Sequence, residues 1–278
     1  VSIVPSPQRA TRQALAHLGV RPTRRLGQSF LVAPGVSRRI VDVADVCGRR
    51  VVEIGPGLGA LTDALAAAAS ELILVEIDPR LVDRLREQYA GITQVRVVHG
   101  DALEVDFASL LDGHDDAVAI GNLPYSVGTQ ILVRLLEARR HFARLVLMLQ
   151  REVAERIVAS PGTKPYGTLS VWTALYGDAR IAFRVSSGAF VPRPKVDSAV
   201  VTIALLREPR VGIADPKRFR EVVRAAFGQR RKTLRRALAR VVSPSQIEAA
   251  GVDPRRRGET LSLDEFAAIA NLLAAEEP

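Results

Sequence analysis

Five short apolar runs, at residues 51–54, 72–75, 95–98, 117–120 and 145–149, are separated by segments of helical spacing, and no other feature constrains the fold as tightly. A run of four or five apolar residues bounded by turn residues is too short for a core helix and reads as a strand buried on both faces. The segments at 58–69, 79–89, 129–139 and 153–159 read as helices. Strands alternating with helices predict an α/β chain with a parallel sheet covered on both sides. Ahead of this block, residues 1–20 are predicted as an amphipathic helix, 21–30 as a basic loop and 36–46 as a second helix. Beyond it, 179–185 and 199–206 predict two further strands around a proline-rich, basic segment at 187–197. Residues 209–216 read as a linker, and the pattern from 217 onward is helical only. The expected domains are therefore 1–208, an N-terminal extension plus the sheet, and 209–278, a smaller all-α unit.

The net charge of +9 is unevenly distributed: +7 over residues 1–50, −3 over 51–204 and +5 over 205–278. An acidic middle between two basic ends points to a polyanion partner. No apolar run approaches the roughly 18 residues of a membrane span, and residues 1–20 lack the continuous apolar core of a signal peptide. Cys47 is the only cysteine, which excludes an intrachain disulfide and zinc sites built on cysteine pairs. The four histidines, at 17, 99, 114 and 141, have no ligand spacing, so no metal is expected. A cytoplasmic monomer is the expectation.

Between the first strand and the first helix lies Gly55-Pro56-Gly57-Leu58-Gly59. Glycines there let the backbone turn tightly and approach a ligand. Glu76 ends the next strand, where a carboxylate can accept hydrogen bonds from a ribose diol; Ile77 follows it. This much suits a nicotinamide dinucleotide as well as S-adenosylmethionine, since Gly55, Gly57 and Ala60 satisfy the dinucleotide pattern too. Asp101, after the third strand in a Gly-Asp-Ala run with Ala102, tilts the choice toward S-adenosylmethionine, because its carboxylate can accept from an adenine amine. Its alternative reading is a turn cap.

Asn122-Leu123-Pro124-Tyr125 leaves the fourth strand. The Asn122 side chain and the carbonyl of Leu123 or Pro124 can accept the two N–H bonds of an exocyclic amine. Fixed acceptors favour a pyramidal nitrogen with an available lone pair. Pro124 stiffens the loop, and Tyr125 can stack on a base. A sulfonium is already a strong electrophile, so orientation supplies much of the rate and no nucleophilic side chain is required.

The chain resembles the ribosomal RNA adenine N6,N6-dimethyltransferases, closest to the bacterial small-subunit, KsgA-type enzymes. The resemblance runs in order through residues 26–31, 52–59, 75–78, 121–125, 149–155, 164–167, 190–200, 225–234 and 257–262. It implies a Rossmann-like S-adenosylmethionine-dependent methyltransferase sheet. It implies cofactor contacts from Gln28, Ser29, Leu31, Gly55, Glu76, Asp101 and Asn122, with 28–31 closing over the cofactor. Ser29 stands where the family has asparagine. The resemblance also makes Phe190 a second ring against the target base, opposite Tyr125; from the residues alone it reads as a loop anchor beside Pro192 and Pro194. The implied substrate is a pair of adjacent adenosines in the 3′-terminal hairpin loop of small-subunit rRNA, within an assembling subunit.

Residues 217–240 carry ten basic side chains and one acid, Glu221. They are predicted as one helix with Phe219, Val223, Phe227, Leu234 and Leu238 inward and a positive face, including Arg230, Arg231, Lys232, Arg235 and Arg236, toward phosphates. Arg21, Arg24 and Arg25 are candidates for a second contact. Competing readings are a large-subunit rRNA adenine methyltransferase, a non-catalytic ribosome-assembly factor on the same fold, and a nicotinamide oxidoreductase, which leaves residues 122–125 and the basic face unexplained.

Overall fold

A computed structural model describes residues 6–20 and 28–276. Helix α1 (Pro7–His17) opens it, capped by the Ser6 hydroxyl; strand β1 (Phe30–Leu31) and helix α2 (Pro34–Ala44) follow. Then come β2 (Arg50–Ile54), α3 (Thr62–Ala68), β3 (Glu71–Glu76), α4 (Pro79–Gln88), β4 (Val95–His99), α5 (Phe107–Leu110), β5 (Ala117–Asn122), α6 (Gly128–Glu137) and β6 (Phe142–Gln150). Helices α7 (Arg151–Ile157) and α8 (Thr168–Tyr176) precede β7 (Gly177–Val185), the short β8 (Phe190–Val191) and β9 (Ser198–Leu205). Helices α9 (Pro216–Gly228), α10 (Leu234–Ala237), α11 (Pro244–Ala249) and α12 (Leu263–Glu276) end the chain.

The seven-stranded sheet has the order β4-β3-β2-β5-β6-β9-β7. It is parallel from β4 to β6, and β9 joins β6 antiparallel. Val51, Leu72, Leu74, Val118, Ile120 and Val146 form one apolar cluster with Ile40 of α2, Leu65 of α3 and Leu85 of α4. Their neighbours of opposite parity, Val52, Ile73, Ala119, Leu145 and Leu147, are equally inaccessible. Burial on both faces is why these strands read as continuous apolar runs rather than alternating ones. Each large side chain so buried contributes about 1.5–3 kcal/mol. Gly121 lets β2 and β5 close up: a Cβ there would stand 2.8 Å from the Ile54 carbonyl oxygen.

The strand order reverses at β2, with β3 on one side and β5 on the other. Ligands of open α/β sheets bind at the carboxyl ends of the strands at such a point. The register pairs Ile54 with Val75 and with Gly121, so Gly55, Glu76 and Asn122 come level at one end of the sheet.

Two features depart from expectation. The expected domain boundary at 208/209 differs from the observed division. One compact unit ends at Ala154 and resumes over Arg180–Leu205; the other comprises Glu155–Ala179 and the residues from Leu206 onward. The reason is aromatic packing within the second unit. Tyr166 meets Phe227 edge-on at 5.7 Å, Trp172 meets Phe219 at 5.8 Å, and the Tyr166 hydroxyl donates to the Leu261 carbonyl at 2.9 Å. Nor is 217–240 one helix. Helix α9 stops at Gly228, and Gln229 lies outside helical geometry. The amides of Leu234 and Arg235 bond the carbonyls of Arg256 and Pro254 instead of a preceding turn. The expected inward residues Phe219, Val223, Leu234 and Leu238 are nonetheless buried.

Candidate active site

The glycine turn after β2 needs left-handed backbone at Gly55, Gly57 and Gly59, with φ of +65°, +59° and +87°. At Gly57 space is also short, since an added Cβ would stand 3.1 Å from the Phe30 ring. The turn is held by Glu76, which is 4 % exposed. Its Oε2 accepts from the Gly57 amide at 3.0 Å, and its Oε1 accepts from the amides of Ile77 and Asp78 at 2.9 and 3.0 Å. A carboxylate has about four acceptor positions, so one remains, on Oε2, for a ligand hydroxyl. Burial raises the Glu76 pKa, and the three amides oppose that shift.

All ten cofactor candidates line one cavity at this end of the sheet: Gln28, Ser29, Leu31, Gly55, Gly57, Glu76, Ile77, Asp101, Ala102 and Asn122. Asp101 caps a turn, accepting from the Leu103 amide at 2.9 Å through Oδ1, while also facing the cavity. Ile77, 46 % exposed, and Ala102 add apolar wall. An acceptor for a hydroxyl, an acceptor for an amine and apolar walls between them form a donor set that fits an adenine nucleoside.

Leu123, Pro124 and Tyr125 line the same cavity. Asn122 donates from Nδ2 to the Ser29 carbonyl at 2.9 Å, which leaves Oδ1 as an acceptor. Because the Ser29 backbone makes that bond, it does not depend on the side chain at position 29. Of the two carbonyls left open by the sequence, Pro124 accepts the amides of Val127 and Gly128 at 3.2 and 2.8 Å and is committed to the start of α6. The Leu123 carbonyl is the remaining acceptor. The half-buried Tyr125 shares a 2.6 Å hydrogen bond with the hydroxyl of Ser198, which is fully buried at the start of β9. Burial raises the Tyr125 pKa, and the Ser198 bond opposes it.

Phe190 is placed differently from the implied stacking role. It is 2 % exposed, belongs to the main apolar cluster and does not line the cavity. Strand β8 pairs antiparallel with β1, Leu31 opposite Phe190, and that pairing draws the ring inward. Among the basic candidates, Arg21, Arg24 and Arg25 lie outside the described residues. Arg231, Lys232, Arg235 and Arg236 are exposed. Arg230 is committed to the second unit's own loops: it donates to the Lys164 carbonyl at 2.9 Å and pairs with Glu259 at 3.2 Å.

Sequence reasoning passes over Glu53 and Ser198. Glu53 sits in an apolar strand, 2 % exposed, and lines the cavity. Burial pushes its pKa up to about 8, helped by Glu76 and Asp63 and opposed by the Thr62 hydroxyl, which donates to it at 2.7 Å. A carboxylate inside a strand-like apolar run is its available signal. Ser198 has no local signal, being 73 residues from Tyr125. Among the described residues no group of three potential metal ligands occurs, and no helix is long and apolar enough to cross a membrane.

A parallel sheet reversing at β2, a glycine turn and a cavity ending in Asn122-Leu123-Pro124-Tyr125 define a Rossmann-like methyltransferase with a helical C-terminal part. Comparison with known proteins narrows this class. Residues 20–275 match the family model described as ribosomal RNA adenine dimethylase, and the chain belongs to that family. It is 46% identical over 267 residues to the ribosomal RNA small subunit methyltransferase A of Geobacter metallireducens, covering 92% of this chain and 97% of that protein. It is 44% identical to the enzyme of that name in Magnetococcus marinus, covering 91% and 92%. Among solved structures it is similar to a dimethyladenosine transferase from Plasmodium falciparum, with TM-score 0.74 and 25% identity over 86% of this chain and 95% of that one. It is also similar to the 23S rRNA methyltransferase ErmE, with TM-score 0.65 and 26% identity over 88% and 99%.

Proposed function

We propose that the protein is an S-adenosylmethionine-dependent rRNA (adenine-N6,N6) dimethyltransferase of the small ribosomal subunit. It methylates N6 of two adjacent adenosines in the 3′-terminal hairpin loop, twice each, within an assembling subunit. The relatives named for the small subunit, at 39–46% identity over nearly the whole chain, favour this over the large-subunit reading suggested by ErmE.

When bound, S-adenosylmethionine supplies an electrophilic methyl group on a sulfonium. The remaining chemistry belongs to the chain. Glu76 and Asp101 accept from the nucleoside's hydroxyl and amine, and the glycine turn admits it closely. The target base leaves its stack to enter the cavity, which costs least for an unpaired loop base. Asn122 Oδ1 and the Leu123 carbonyl accept the two N6 hydrogens and turn the nitrogen lone pair toward the methyl group. Tyr125 lies against the base. Exposed Arg231, Lys232, Arg235 and Arg236 bind phosphates. The observation that carries this reading is the Asn122 amide, anchored through Nδ2 so that Oδ1 is an acceptor within the cavity.

The test uses small subunits from cells lacking the modification, incubated with the protein and S-adenosylmethionine, followed by mass spectrometry of the digested rRNA. N6,N6-dimethyladenosine in the 3′ hairpin, lost in Asn122→Ala, is the expected result. Donor binding without any product would refute the assigned substrate.

A further inference from the structure

Glu53 has no part in the chemistry above, yet it is buried in the wall of the donor cavity. Its Oε2 takes the Thr62 hydroxyl, and its Oε1 has no hydrogen-bond partner among the described residues. The groups around it are acidic or neutral. Glu76 faces it from β3, and Thr62 and Asp63 face it from α3. From the end of α4 the Tyr89 hydroxyl donates to Asp63 at 2.6 Å. Asp101 and the neutral Asn122 line the same cavity. Arg84 of α4 is turned to the Leu58 carbonyl at 3.1 Å, and no base pairs with Glu53 among the described residues. An unpaired carboxylate so buried is strongly disfavoured, so the empty cavity holds the acid form. A cationic ligand reverses that balance, because an adjacent positive charge favours the carboxylate.

We propose that Glu53 is the charge-compensating residue of the donor cavity: it is neutral when the cavity is empty and ionises when the cationic methyl donor binds. The O–H bond of its carboxyl group breaks, the electron pair stays on the carboxylate, and the proton leaves to solvent. The neutral thioether product lacks the sulfonium charge, so Glu53 recovers its proton and product binding is weakened relative to donor. This inference rests on the S-adenosylmethionine assignment.

Calorimetric titration of S-adenosylmethionine and S-adenosylhomocysteine in two buffers of different ionisation enthalpy, from pH 6 to 9, counts the protons exchanged. Wild type should release close to one proton per donor near pH 7, and donor affinity should rise up to about tenfold per pH unit before levelling near pH 8. The product should release fewer. The donor's own α-amino group titrates at about 8, so the comparison with Glu53→Gln isolates the side chain: that variant should lose the difference between donor and product. Thr62→Val removes a bond that favours the carboxylate and should move the affinity midpoint to higher pH, which provides a test if Glu53→Gln does not fold. Equal proton release in wild type and Glu53→Gln, or an unmoved midpoint in Thr62→Val, overturns the proposal. Failure of wild type to bind the donor at any pH overturns the assignment beneath it.

Discussion

Replacing Ser198 with alanine deletes one side of the 2.6 Å hydrogen bond that fixes the Tyr125 ring in the cavity. Ser198 is 0 % exposed and sits in a strand between β6 and β7, so the backbone around it has little freedom to shift. A neutral hydrogen bond of this kind contributes about 1 kcal/mol net. The phenol, half-buried at a cavity wall, can regain water, so the loss of stability should stay near about 1 kcal/mol. Catalysis should suffer more selectively. A ring free to swing presents the target base in several orientations, and a tenfold fall in kcat corresponds to about 1.4 kcal/mol. Small misplacements cost up to about 100-fold. The expected outcome is therefore a roughly tenfold lower kcat on undermethylated small subunits with donor affinity unchanged, restored in part by Ser198→Thr. A double-mutant cycle decides the cause. If Ser198 acts through the phenol, Tyr125→Phe and Ser198→Ala should each reduce kcat, and the double variant should be no worse than the poorer single. Additive losses would refute positioning through this bond.

Gly57→Ala should lower stability by about 1–2 kcal/mol from the left-handed backbone alone, with added strain against Phe30 and weaker donor binding; thermal unfolding and calorimetry would check both. Phe190→Ala should cost about 3–5 kcal/mol as a core truncation, whereas Phe190→Leu should keep both stability and activity; a stable Phe190→Leu protein without activity would restore the ring to a base-stacking role. Alanine at Arg231, Lys232, Arg235 and Arg236 should flatten the salt dependence of RNA binding by about 0.7–0.9 for each phosphate that is no longer neutralised, while Arg230→Ala should lower thermal stability and leave that slope nearly unchanged. Glu53 has a raised pKa in the fold, so its acid form stabilises the native state fully below the unfolded pKa near 4.5, and that contribution is lost as pH rises toward about 8. Glu53→Gln does not titrate, so its melting temperature should gain on wild type between about pH 5 and 8, by the equivalent of up to a few kcal/mol; a pH-independent difference would contradict the burial reading.

The sheet is legible because strands buried on both faces carry an unbroken apolar signal, as at Leu72, Ile73, Leu74 and Val75. The glycine turn, Glu76, Asp101 and Asn122 are legible because each follows such a strand directly, and the parallel register brings strand ends level. What escapes the sequence is joined across long separations. The bond from Asn122 to Ser29 spans 93 residues and that from Tyr125 to Ser198 spans 73. Strands β1 and β8 have two residues each, too few for any period, yet their pairing takes Phe190 into the core. The nine residues of α8, Thr168–Tyr176, intersperse Thr168, Ser170 and Thr173 among apolar side chains with weak amphipathic contrast, so helical spacing does not reveal them. In residues 217–240 the charge pattern is legible; Gly228 is a local signal for the end of α9 that the one-helix expectation passes over, while the bonds of Leu234 and Arg235 to Arg256 and Pro254 have no local signal. Glu53 is the instructive case. An acid in an apolar strand reads as noise in a periodicity count, but a fold does not bury an unpaired carboxylate without a large cost. Its position one residue before Ile54 and two before the glycine turn makes that cost dependent on the charge of whatever occupies the cavity. The residue that weakens the strand signal is thus the one through which the empty and loaded sites differ most in charge.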